Sequence, residues 1–393
     1  IRARLVGSEM CIRDRKKSIK GMTLALLMLM AAMAGCIGTE DETTDEGDEA
    51  KPAFLDASDA GYTYASDVDN HRSLMQDLCD IKSAASDSNW DEAKNIYTNG
   101  KNAEKSDGSF RTLAGFAAAS GKNHNYDTFY GQDGAIGAHI MAAMDGTGDF
   151  TGASDTVRYQ GIAKLTANMG MVGYTIHELN AAVAKADAGN TDNDSGAPHN
   201  WDEGWAFFHG PDEHWSCSPA YTMKKRAADY GTETNGVSNA LAASEQAMVD
   251  GLAALQAGDK AGYDAATETV IKNIIITYSQ ATLKYTMKMD SNESAAKYQA
   301  EGYAFWKTME AYAADHTNAC VHSDGDVTYV GDSGASSCGE NETFDARYGA
   351  DKINEILNLS DASKHGTSYD VAPHLEMVWA HYGITEDDIG TYQ

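Results

Sequence analysis

Between residues 157 and 187, apolar side chains recur every three or four positions: Ile162, Leu165, Met169, Val172, Ile176, Leu179 and Val183. That spacing predicts one long amphipathic helix. Beside the stripe, Gly170, Gly173, Ala181 and Ala184 form a face of small residues that another backbone or a ligand could approach closely. From Leu165 to Val183 the only charged or readily titrating side chains are His177 and Glu178. A helix that is apolar nearly all round is a buried one. A buried carboxylate must be protonated, paired or bound to a cation, so this pair is either a His–Glu contact in the core or part of a site.

Helical periodicity also marks segments near 71–98, 132–145, 200–209, 218–229, 236–257, 260–290, 293–316, 348–358 and 371–382, separated by loops rich in Gly, Asn and Asp. No run alternates as a half-buried strand would, and the chain has five prolines. The predicted class is therefore all-α, a helical bundle-like domain.

A repeat sharpens the picture. GYTIHEL (173–179) matches KYTMKM (284–289), and EGWAFF (203–208) matches EGYAFW (301–306). Each copy is a long helix followed by an E-G-aromatic-A-F-aromatic helix, which predicts an internal pseudo-twofold duplication with halves at about 61–235 and 236–393. Glu203 aligns with Glu301, whereas His177 aligns with Lys288 and Glu178 with Met289. Any site is therefore single and asymmetric.

The ends of the chain carry different information. Residues 1–15 (IRARLVGSEMCIRDR) resemble adapter read-through from assembled environmental reads and are set apart from the fold. Residues 16–36 run from lysines through an apolar stretch to Ala34-Gly35-Cys36, the order of a lipoprotein-type signal with Cys36 as lipid anchor. The apolar stretch is short for a membrane span, which disfavours an uncleaved anchor. Residues 37–60 form an acidic tether, with seven acids between Thr39 and Lys51. Beyond residue 36 the chain has 23 basic against 57 acidic residues, a net charge of −34. With no basic stripe, nucleic acid is excluded as a partner. Cys79, Cys217, Cys320 and Cys338 are an even set in an exported chain and allow three disulfide connectivities. The pairing chosen is Cys79–Cys217 with Cys320–Cys338, the latter closing a glycine- and serine-rich loop.

The segment HNWDEGWAFFHGPDEHW (199–215) holds four carboxylates, three histidines and five aromatic rings. Glu178, Glu203 and Glu301, with His177, His199 or His209 nearby, are expected to converge as oxygen and nitrogen ligands of a highly charged cation such as Fe3+. Several buried acids together need such an ion. Tyrosines add phenolate donors. Trp205, Phe207 and Phe208 read as core before they read as a cofactor box. H-E-x-x-H, the ferritin-like E-x-x-H pattern, C-x-x-C and G-x-S-x-G are all absent, so no zinc peptidase, diiron, redox-dithiol or serine-hydrolase chemistry is indicated. Lys101 and Arg111 lie among polar turn residues, and Lys224, Lys225 and Arg226 sit near a helix start. Both groups could hold a small anion or form a solvated face.

IYTNGKN followed by RTLAGFA, then YTIHEL, DEGWAFFHG, SPAYTMKKRAADYGT and YGITEDDIG, in this order, resemble the iron-assimilating, low-iron-inducible periplasmic proteins of green algae. Their domain is shared with the diatom phytotransferrins. The resemblance runs from about residue 70 to the C-terminus. It implies an extracellular or surface domain that captures ferric iron for uptake, in the phytotransferrins together with carbonate, and an uptake permease or receptor is the partner such a binder would need. Residues on the shared motifs are His177, Glu178, Glu203, Lys101, Arg111, Lys224 and Arg226. The expectation is thus a tethered, non-enzymatic binder with metal ligands among His177, Glu178, Glu203, Glu301 and His209, and anion contacts from Arg111, Lys101 and Arg226. Two rivals are an imelysin-like metalloprotein or peptidase, disfavoured because Asn180 stands where a G-x-H-x-x-E pattern needs an acid, and a metal-free structural or adhesive lipoprotein.

Overall fold

A computed structural model describes residues 59–119 and 125–393. The signal segment, Cys36 and most of the acidic tether lie outside the described residues. Asp59, inside the tether's expected bounds, is already buried and paired with Arg72 at 2.7 Å.

The described residues form an all-α domain with small sheets, built from α1 (Asp69–Arg72), α2 (Leu74–Ser86), α3 (Trp90–Asn99), α4 (Leu113–Ala117), α5 (Asn125–Tyr130), α6 (Ala135–Asp145), α7 (Asp155–Lys164) and α8 (Met171–Asp187). There follow α9 (Ala197–Phe208), α10 (Pro219–Tyr230), α11 (Asn239–Ala257), α12 (Lys260–Met287), α13 (Ala295–Ala313), α14 (Tyr348–Ile356), α15 (Ala372–His381) and α16 (Glu386–Ile389). The segment expected as one helix over 71–98 is broken. Ser88 adopts φ 55°, and the Asn89 side chain accepts from Glu92 N to start α3.

The helix expected over 157–187 is continuous but not uniform. Leu165–Gly170 forms a π-helical turn between α7 and α8. Side chains satisfy backbone oxygens there: Thr166 Oγ1 donates to Ile162 O, and Asn168 Nδ2 to Lys164 O. Such turns recur at functional sites. The small-residue face is used for packing, because a Cβ on Gly173 would lie 2.5 Å from Ile136 and 3.0 Å from Tyr126.

The E-G-aromatic helices sit close against the long helices before them. A Cβ built on Gly204 of α9 would lie 3.1 Å from Leu179 of α8, and one on Gly302 of α13 would lie 3.3 Å from Tyr285 of α12. Trp201, Trp205, Phe207, Phe208 and Trp306 are fully buried. The tryptophan N–H groups of Trp201 and Trp306 reach Met248 O and Asn354 Oδ1, the partners that buried indoles need.

Strands do occur, contrary to the sequence reading. β1 (Glu233–Thr234) and β2 (Val237–Ser238) form a hairpin around Asn235-Gly236, both with positive φ. β3 (Ala319–His322) pairs antiparallel with β4 (Val327–Tyr329) and β5 (Glu342–Asp345). At two to four residues each, these strands are too short to show alternation. Both chosen disulfides are present, with Cα–Cα distances of 5.6 Å for Cys79–Cys217 and 5.4 Å for Cys320–Cys338. No helix among the described residues is long and apolar enough to cross a membrane.

Candidate metal centre

Helix α9 is built so that its faces do different jobs. Trp201 and Trp205 face the core, while His199 and Glu203, four residues apart, share the edge that faces α1. His199 Nε2 and His71 Nε2 each lie 3.1 Å from the same oxygen, Glu203 Oε1. The two imidazoles therefore converge from different parts of the chain, with ring centroids 6.5 Å apart. Next to them on α8, Glu178 is buried, accepts from Asn200 Nδ2 at 2.5 Å and lies 4.0 Å from His177 Nε2. Tyr174, one turn earlier, is fully buried against Phe116 and Phe207. Arg111 closes the cluster. Its guanidinium is attracted by Glu203, Glu178 and Tyr174, its Nε donates to Asn70 Oδ1 at 2.7 Å, and it stands 5.6 Å from the Phe116 ring.

Electrostatics follow from these contacts. Burial pushes the Glu203 carboxyl up, but the His199 hydrogen bond and the charges of His71 and His199 override it and hold the group at about 2. The Glu203 hydrogen bond raises His199 above the ordinary imidazole range. Burial raises the Tyr174 hydroxyl, and Glu178 and Glu203 raise it further. Glu178 also hydrogen-bonds Glu203, so the two acids meet directly beside the imidazoles. Glu203 is an ionised, paired group.

A second tier holds His199 in place. Asp202 is buried and accepts from Tyr62 Oη, Ala65 N, Ser66 N and Ser66 Oγ, all at 2.8 Å. Because the single Ser66 hydroxyl proton goes to Asp202, Ser66 Oγ must accept from His199 Nδ1 at 2.9 Å. His199 thus keeps a proton on Nδ1, and its Nε2 is the nitrogen that faces Glu203. Exchanging the Nε2 proton for a cation leaves this chain of hydrogen bonds intact, the usual support of a ligating histidine.

The cluster opens into a cleft of about 530 Å³ lined by His71, His199, Glu203 and Arg111, with Asp67, Asp69, Glu104 and Asp107 around it. An acidic mouth concentrates cations.

Several expected residues lie elsewhere. Glu301 is buried on α13 against Tyr285 and Lys164, 3.9 Å from Lys297 Nζ. His209 is sandwiched between Trp205 and Trp215, with centroids 5.0 and 5.7 Å away, and its Nδ1 meets Gly210 O. Burial lowers its basicity, which suits a neutral core imidazole. Lys101 pairs with Asp80 at 2.9 Å, and Lys224 lies over Trp215. Arg226 pairs with Asp229 away from this cleft. In the other direction, the sequence reading did not single out His71 or Tyr174.

A family model described as "low iron-inducible periplasmic protein" (Fea1) matches residues 52–329. The chain belongs to this family. The match spans most of the chain and every residue of the cleft cluster, which places the chain in an iron-related, exported family and bears out the resemblance drawn from its motifs up to residue 329. Neither the curated proteins nor the solved structures contain a significant match to this Fea1 member.

Among the described residues a second histidine–carboxylate group exists on the surface of this Fea1-family chain. His316 Nδ1 and His381 Nδ1 both contact Asp332, and their rings stack at 3.7 Å. Two imidazoles and one exposed carboxylate suit a borderline divalent ion. The cleft, with two carboxylates and a phenol beside its imidazoles, is the richer in hard oxygen.

Proposed function

We propose that this protein captures ferric iron in the cleft at His71, His199, Glu178 and Glu203, as the cargo of an uptake system. The observation that carries the reading is the aim of two imidazole Nε2 atoms at one Glu203 oxygen beside buried Glu178. The cation would replace the His199 proton. Tyr174 supplies a phenol that a trivalent ion can deprotonate, which favours Fe3+ over a divalent competitor. Arg111, beside the same carboxylates, would hold carbonate as a synergistic anion in this reading. On the same reading the cleft binds its cargo and carries out no reaction on it. Cys36 would anchor the chain by lipid, with the acidic segment as tether and a permease or receptor taking the cargo.

The test is elemental analysis and ferric titration of the purified protein with and without bicarbonate. The double variants His71→Ala/His199→Ala and His316→Ala/His381→Ala are compared side by side. Loss of ferric binding in the first and retention in the second is expected. The opposite pattern would move the iron to the surface cluster, and retention in both would end the proposal.

A further inference from the structure

The second E-G-aromatic helix faces a different kind of pocket. Lys164 at the end of α7, Asn168 in the π-helical turn, Arg226 on α10 and Tyr285 on α12 enclose about 100 Å³, with Lys82 and Lys225 at its edge. Four cations on one small pocket stand out in a chain with a formal net charge of −29. Arg226 is 5% exposed. One of its nitrogens, Nη2, pairs with Asp229 at 2.9 Å, and Asp229 is shared with Lys284 at 2.8 Å. Arg226 Nε and Nη1 are buried and make no hydrogen bond of ordinary geometry among the described residues, although the guanidinium lies against the Tyr285 hydroxyl and ring. A guanidinium has five donors and cannot shed its charge, and leaving two of them buried and unmet is costly.

The surroundings present further donors. Burial and the nearby Glu301 keep the Tyr285 hydroxyl protonated, with that proton directed at Glu301, so the donors left to the pocket are the cationic side chains. Lys164 is pushed down to about 8, first by burial, with Lys82, Arg226 and Lys225 adding repulsion and Glu301 opposing. Cations that repel one another around a cavity are relieved by an anion inside it. The volume admits one tetrahedral or trigonal ion and excludes a metal chelate.

We propose that this pocket binds a small inorganic oxyanion such as phosphate through Arg226 and Lys164, at a site separate from the metal cleft. Lys164 and Glu178 lie on one helical run, and at ~1.5 Å of rise per residue they are roughly 20 Å apart. An anion on Lys164 therefore cannot also ligate an ion held by Glu178. The site stands whether or not iron binds the cleft.

The experiment is titration calorimetry of the metal-free full chain with inorganic phosphate, sulfate and bicarbonate in separate arms near neutral pH. Lys164→Gln, Lys225→Ala, Arg226→Gln and Arg111→Gln are run beside the wild type. Saturable binding of at least one anion is expected in the wild type and in Arg111→Gln. Lys164→Gln should weaken it by about 10-fold or more, and the wild-type melting temperature should rise with anion concentration by mass action. Arg226→Gln should abolish binding, and if that variant does not fold, Lys164→Gln and Lys225→Ala carry the test. The proposal is overturned by no saturable binding of any of the three anions, by undiminished binding in Lys164→Gln, or by loss of binding in Arg111→Gln, which would place the anion in the metal cleft.

Discussion

Replacing Glu203 with glutamine keeps the shape of the side chain and removes its charge. In the protein this carboxyl is held at about 2 against its ordinary 4.5, which at ~1.4 kcal/mol per pH unit is about 3 kcal/mol of preference for the ionised form. The amide that replaces it can still accept one hydrogen bond through its oxygen, so the metal-free protein should lose somewhat less, about 2 kcal/mol. At roughly 2–4 °C per kcal/mol for a domain of this size, Glu203→Gln should melt several degrees lower. The sign with pH follows from the two partners. Glu203 is depressed, so its contribution is present above 4.5 and is lost as pH falls toward about 2. His199 is raised, so its contribution is present below its ordinary 6.5 and is lost as pH rises through the higher folded value. The stability gap between wild type and variant should therefore be widest between about pH 4.5 and about pH 6.5, and narrower near pH 9. Thermal melts of the metal-free proteins across that range measure it. Ferric affinity, titrated against a competing chelator, should fall at least about 100-fold, or about 2.7 kcal/mol. A gap that does not change with pH would refute the pairing, and unchanged ferric affinity would refute the ligand role.

Other outcomes follow from the same contacts. Ferric loading should release at least one proton per ion near neutral pH, because the metal displaces the His199 Nε2 proton, and calorimetry in buffers of different ionisation enthalpy counts it. Asp202→Asn, which disturbs the acceptor of four hydrogen bonds behind His199, should weaken ferric binding by about 10–100-fold without touching a ligand. Arg111→Gln should erase the effect of bicarbonate on ferric affinity in parallel titrations. Cys79→Ser with Cys217→Ser should cost about 2–5 kcal/mol in chemical denaturation, since the bridge spans 138 residues.

The helix stripe from Ile162 to Val183 and the α9 motif were legible because burial imposes a period on the residues that supply it. Glu178 was found by the same logic, as a polar group where the pattern demands apolar ones, whereas Glu203 was picked out by the repeated E-G-aromatic motif and His199 only by standing beside it. Glu301 was misplaced for a reason specific to repeats. EGYAFW keeps the local packing of EGWAFF, but it sits on a different long helix whose matching position is Lys288 instead of His177, so sequence likeness gave a similar place in another neighbourhood. His71 left no signal, because α1 is a single turn with no periodicity of its own, and its role depends on contacts more than a hundred residues away in sequence. Tyr174 was one tyrosine among twenty, distinguishable only by what surrounds it. Arg226 was noticed for its charge, but only its burial separates it from the lysines beside it.

The stretch from Asp59 to Ser66 has a mechanical meaning. It is tied down by Asp59 on Arg72, by Tyr62 on Asp202 and by Ser66 on His199 and Asp202, and Arg72 directly follows His71 in the chain. It lies as a short strap bonded at three places behind the histidine pair. Displacing these few residues would remove the hydrogen bonds that seat His199 and the ion pair beside His71 together. One short segment thus ties the geometry of both imidazoles to a single edge of the helical scaffold.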